Sequence, residues 1–244
     1  MRALWTPAAE VGIAIPHPPS PISTPTRPGS SSTPCPGSPF PEAGDAGLEG
    51  PRFPAIARSM GQLLAAFRRL PTAGLELDDL WAAPGRLAAR AARWVEELPG
   101  LAATERTALA GLLGHLPALF AKRPVVLAHG DFAPVNVLTD GASVTGLLDF
   151  ESVRLADPLF DVAWWAWAVS FSSPSVLDAA WPGFLQGAGI DATDPELAVR
   201  VRSLQLPRML ELLADTTSLD PDVQRIVADR LRAMLRRNCR DSVG

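Results

Sequence analysis

The 244-residue sequence predicts an α+β fold that is predominantly α-helical and carries one small β insertion. Three observations predict it. Apolar residues recur at helical spacing from Pro54 to about Phe120. Between Pro124 and Phe150 the period changes, and short apolar runs alternate with polar turn residues. From Asp157 to the C-terminus the helical pattern returns.

Residues 1–50 differ from everything after them. The stretch IPHPPSPISTPTRPGSSSTPCPGSPFPEAGD is mostly Pro, Ser, Thr and Gly. Proline removes backbone donors and small polar residues offer no core, so disorder is expected over 1–50, with an ordered domain over 51–244. His17 and Cys35 fall in that stretch and read as solvated. In FPAIARSMGQLLAAFRRL, the residues Ile56, Met60, Leu63, Leu64 and Phe67 share a helix face. LDDLWAAPGRLAARAARWVEEL reads as a helix broken or started near Pro84. ATERTALAGLLGHLPALF gives a third, with Thr104 as candidate cap, Glu105 in the first turn and His115 as a structural residue. PVVLAHG, VNVLTD and SVTGLLDF read as three short strands, the last two joined by an Asp140-Gly141 turn. Beyond them, Asp157-Pro158 opens a helix, and Gly187 or Gly189 stops the next. Pro207 falls inside a third, and a C-terminal helix carries acids first and arginines last.

The formal net charge of −4 gives no broad attraction for nucleic acid. Cys35 and Cys239 lie far apart, so neither a disulfide framework nor a zinc site is expected and the reducing cytoplasm is the default. Glu10 and the prolines interrupt the N-terminal stretch, which does not read as a signal peptide. The richest apolar segment, residues 162–171, is too short for a bilayer, so no membrane partner is expected.

The chemistry gathers in HGDFAPVN, residues 129–136, between two apolar runs. Asp131 and Asn136 flank a loop constrained by Pro134, and Asp149 ends the strand Gly146-Leu147-Leu148. A hairpin from Asn136 to Asp149 brings an amide oxygen and a carboxylate together, hard ligands that suit Mg²⁺. Asp131 is left free for a substrate hydroxyl. One orienting carboxylate beside such a clamp is what phosphoryl transfer from ATP requires.

HGDFAPVNVL, then LLDFE, then ADPLFDVAWW, resembles the large catalytic lobe of the aminoglycoside phosphotransferase and choline kinase family, over roughly residues 54–240. The resemblance implies the C-terminal lobe of a protein-kinase-like fold, with ATP and Mg²⁺ as cofactors and a small-molecule hydroxyl as acceptor. It implies Asp131 as catalytic base, Asn136 and Asp149 as ligands of the metal on the nucleotide, and His129 and Asp161 as structural supports of the catalytic loop. Asp157 reads as a helix cap, and Glu151 as a surface or substrate-facing acid. Protein kinases carry Arg between the His and the Asp, where this sequence has Gly130. The segment from Asp149 to Asp161 is also too short for a peptide-docking loop, which favours a small acceptor. An antibiotic is one such acceptor, and choline, sugars, homoserine and macrolides are others. Trp164, Trp165, Trp167 and Trp181 suggest a cation cage or, at helical spacing, core; core is favoured.

The family's small N-terminal lobe has no counterpart in residues 1–50, and Lys122, the single lysine, precedes the catalytic strand. An apparently missing N-terminal lobe, self-association through exposed apolar surface, and weak or no turnover are therefore expected. The alternative reading is a truncated, inactive kinase-like remnant or binding module.

Overall fold

A computed structural model describes residues 38–39, 47–170, 174–215 and 220–241, with backbone alone for 38–39 and 237–241. The disorder expected over most of 1–50, together with His17 and Cys35, lies outside the described residues, as does the Cys239 side chain. The chain is mostly helical with a small sheet. It divides into two compact units. One contains the segment up to Glu76, Leu127–Val153 and Trp164–Thr193; the other contains Leu77–Val126, Arg154–Ala163 and the chain from Asp194. Among the described residues no helix is long and apolar enough to cross a membrane.

The first unit is built on α1 (Phe53–Phe67), which starts with Pro54 in its first turn. Its apolar spacing buries Phe53, Ile56, Met60, Leu64 and Phe67. Against it lies α6 (Pro174–Ala188), and the two helices approach so closely that only glycine fits. A Cβ on Gly61 would stand 2.2 Å from the Phe184 carbonyl oxygen, and one on Gly187 would stand 2.1 Å from that of Arg58. Trp165 fills the space beside this crossing. Its ring stacks on Phe184 at 3.8 Å, and its Nε1 donates to Met60 Sδ at 3.3 Å.

The same unit holds a three-stranded antiparallel sheet, β1 (Ser38–Pro39), β3 (Val137–Thr139) and β4 (Val144–Leu147), with β3 central. Ser38 and Pro39 fall within the stretch expected to be disordered, yet they pair with Thr139 and Leu138. Proline is tolerated there because β1 is an edge strand. The register pairs Val137 with Leu147 and Leu138 with Gly146, so the expected hairpin forms. Its turn is locked by Asp140, whose Oδ1 accepts from Ala142 N at 2.9 Å and Ser143 N at 2.8 Å. The Ser143 and Ala142 amides hold this carboxyl below its ordinary value. A depressed carboxylate contributes stability above its unfolded pKa and loses it as pH falls through the folded value. Asp140→Ala should therefore lower the Tm modestly at pH 7. The gap between variant and wild type should close as the pH drops below about 4 in a calorimetric series.

The second unit packs α2 (Pro84–Glu97), α3 (Ala103–Gly114), α4 (Leu116–Leu119), α7 (Leu197–Ala214) and α8 (Pro221–Asp241). Pro84 starts α2, as expected, after a 3₁₀ turn at Leu80–Ala82. Thr104 does not cap α3. The cap position is Ala102, whose backbone N–H is met by Glu105 Oε2 at 2.8 Å, and Thr104 sits inside the first turn. Between the last expected strand and the helix expected from Asp157 the structure adds one more strand, β5 (Arg154–Ala156), not expected from the sequence pattern. Leu155 N donates to Asp78 O at 2.8 Å, a partner remote in sequence. Arg154 is buried with its guanidinium on Glu211 at 3.2 Å and over the ring faces of Trp81 and Phe160. In α5 (Phe160–Val169), residues up to Ala163 count with this unit and Trp164 onward with the first.

Candidate functional site

The site begins where β2 (Val126–Ala128) ends. His129 follows, fully buried, with the rings of Phe67, Phe132 and Phe150 around it. Its Nδ1 accepts from Asp131 N at 3.3 Å, which leaves the neutral ring's proton on Nε2 to donate to Leu148 O at 2.8 Å. One imidazole thus ties the loop to the hairpin residue just ahead of Asp149. Gly130, between His129 and Asp131, has φ 89°. A 3₁₀ turn at Pro134–Asn136 then carries the chain into β3.

Asp131 is partly exposed, and both of its carboxylate oxygens accept hydrogen bonds. Asn136 Nδ2 donates to Oδ2 at 2.8 Å and to the Asp131 backbone oxygen at 2.9 Å. Two acceptors for Nδ2 fix which end of the amide faces Asp131. The Asn136 backbone oxygen accepts from Leu148 N at 2.8 Å. Asp149 is the next residue, exposed, with φ 59°. It does not end the strand: β4 stops at Leu147, and the chain turns left-handed at Asp149, a conformation that Asp tolerates better than most residues. Asp131, Asn136, Asp149 and His129 are thus gathered in one unit around a loop and a hairpin.

Residues 33–196 match the model of the phosphotransferase enzyme family. The chain belongs to this family. The match starts ahead of residue 51, inside the proline-rich stretch. Solved structures share the fold. A macrolide 2'-phosphotransferase from Brachybacterium faecium is 21% identical, with a TM-score of 0.58 over 96% of this chain and 77% of that one. A choline/ethanolamine kinase family protein from Mesorhizobium loti is 15% identical, with a TM-score of 0.62 over 94% and 76%. Aminoglycoside 2'-phosphotransferase-IIIa, solved as a GDP complex, is 17% identical, with a TM-score of 0.61 over 84% and 69%. No curated protein sequence matches the chain.

The remaining predicted residues of this phosphotransferase-family chain fall as follows. Asp161 is buried in the first turn of α5 and counts with the second unit. Asp157 stands three residues ahead of α5 rather than at its cap, and its Oδ1 accepts from Leu159 N at 2.8 Å in the turn that leads into the helix. Its Oδ2 also accepts from Arg123 Nε at 2.6 Å, which holds the Arg123 guanidinium above its ordinary value. Glu151 is exposed. Trp164, Trp165 and Trp167 are buried and Trp181 half-buried, in keeping with core rather than a cage. One of them does more than fill space. Trp164 Nε1 donates to Asp131 Oδ1 at 2.6 Å, a contact that helical spacing alone gave no reason to expect.

Proposed function

We propose that this protein transfers the γ-phosphoryl group of ATP to a hydroxyl of a small molecule. The observation that carries this reading is the fixed Asp131 carboxylate, held from both sides beside Asn136 and the hairpin end at Asp149. In this reading Asp131 orients the acceptor hydroxyl and receives its proton as transfer proceeds. His129 supports the loop through its bonds to Asp131 N and Leu148 O. Asn136 Oδ1 and the Asp149 carboxylate would hold Mg²⁺. Both are hard oxygen donors, and Mg²⁺ is commonly held by one or two carboxylates together with substrate phosphates, so the residues fit the ion. The ion would supply charge neutralisation on the phosphates. The macrolide and aminoglycoside phosphotransferases among the structural neighbours favour a polyhydroxylated antibiotic as acceptor, with resistance as the consequence.

One observation favours a second reading. Lys122, the single lysine of the sequence, is exposed and counts with the second unit. The phosphate-pairing lysine of kinases is therefore not evident, and a binding module or inactive remnant would need none.

Acceptor-dependent ADP release should be measured with Mg²⁺ across aminoglycosides, macrolides, choline and sugars. At least one acceptor is expected to drive turnover; silence across the panel would sink transfer in favour of the second reading. Mg²⁺-dependent nucleotide affinity should weaken at least about tenfold in Asp149→Ala, by analogy with losses at metal sites. Binding indifferent to both the ion and the variant would remove the metal assignment.

A further inference from the structure

We propose that Trp164 is a positioning residue for the Asp131 carboxylate, an inference that rests on the phosphotransfer reading. The terminal torsion of an aspartate is broad, so a single hydrogen bond does not set where its oxygens point. Here two donors act on opposite oxygens: Trp164 Nε1 on Oδ1 at 2.6 Å and Asn136 Nδ2 on Oδ2 at 2.8 Å. The indole is itself held. It is 7% exposed, and its ring stacks on Trp167 with centroids 4.4 Å apart and planes 16° from parallel. α5 thus carries a rigid donor to the loop.

The chemistry of that donor suits the task. An indole N–H donates but does not accept, and it does not titrate in the working range, so it never competes for the proton that Asp131 must receive. Each carboxylate oxygen has two lone pairs and spends one on these donors. The other stays directed for an acceptor hydroxyl. Trp164 touches no reacting atom in this scheme; it acts through Asp131.

Trp164→Phe keeps the stacked ring and removes the N–H. In this chain, kcat is expected to fall on the order of tenfold to a hundredfold, as for loss of a hydrogen bond to a charged group, while the KM for ATP holds. An unchanged kcat, or a loss expressed in KM, overturns the proposal. Asp131→Asn separates the two readings. If that variant keeps full turnover, the role of Asp131 as base in the phosphotransfer reading fails; if it is inactive while Trp164→Phe is unimpaired, only the positioning role fails. The hydrogen bond has its own readout in ¹⁵N-labelled protein. Among the indole signals of the seven tryptophans, the one lost in Trp164→Phe should lie downfield and move when Asp131→Asn is introduced. A Trp164 signal that ignores Asp131→Asn overturns the proposal, whether or not any acceptor is turned over.

Discussion

Asp131→Asn is expected to lower phosphoryl transfer by about 10²–10⁴-fold, the range typical of a positioned acid–base group. It is also expected to lower the Tm. The second effect follows from the geometry. Both oxygens of Asp131 accept, one from Asn136 Nδ2 and one from Trp164 Nε1. A carboxamide has one oxygen and one NH₂, so whichever way it turns, one donor faces another donor. Asp131→Ala removes that clash but leaves two donors to find new partners. Neither variant is therefore a silent deletion. Steady-state ADP release and thermal unfolding on the same preparations check both effects. Full turnover in Asp131→Asn would remove the base assignment, and a Tm equal to or above wild type would contradict the two-sided hydrogen bonding.

The helices were legible because their period is local. α1 buries Ile56, Met60, Leu64 and Phe67 as the spacing requires, and Pro84 marks the start of α2. The β3–β4 hairpin was legible for a similar reason, since Asp140 and Gly141 announce the turn. What escaped depends on partners remote in sequence. Arg154–Ala156 has no strand signature of its own; its extended backbone is met by Asp78, and Arg154 is buried by Glu211, Trp81 and Phe160. The strand before Asp149 was read two residues too long, because an apolar run does not show where the backbone turns left-handed. Trp164 was read as core, and by burial it is. Periodicity reports which face a side chain takes, but not that its one polar atom ends on a carboxylate contributed by a loop 33 residues earlier.

Gly130→Ala is expected to damage both stability and the site, although the change adds one methyl group. Gly130 has φ 89°, outside the range in which L side chains are comfortable. A Cβ built there would stand 1.9 Å from the Ser152 carbonyl oxygen and 2.6 Å from its carbonyl carbon. Those atoms are backbone, so no rotamer change relieves the contact, and either the loop or the segment after Asp149 must move. Overpacking typically costs about 1–3 kcal/mol, and an unfavourable backbone conformation adds about 1–3 kcal/mol. For a domain of this size each kcal/mol corresponds to about 2–4 °C, so a Tm loss of roughly 5–20 °C is expected. The displacement would act on function through the neighbours. His129 and Asp131 flank Gly130, and the hydrogen bonds from His129 to Leu148 and from Asp131 N to His129 are made by these two neighbours. Transfer should therefore fall even at temperatures where the variant stays folded, and no acceptor should restore it. The same crowding explains why the arginine that protein kinases carry here cannot be accommodated. The close approach of the loop to Ser152 demands a residue without a side chain, whatever the acceptor. Wild-type stability in Gly130→Ala, measured by thermal and urea unfolding, would show that the loop does not pack against Ser152 as described.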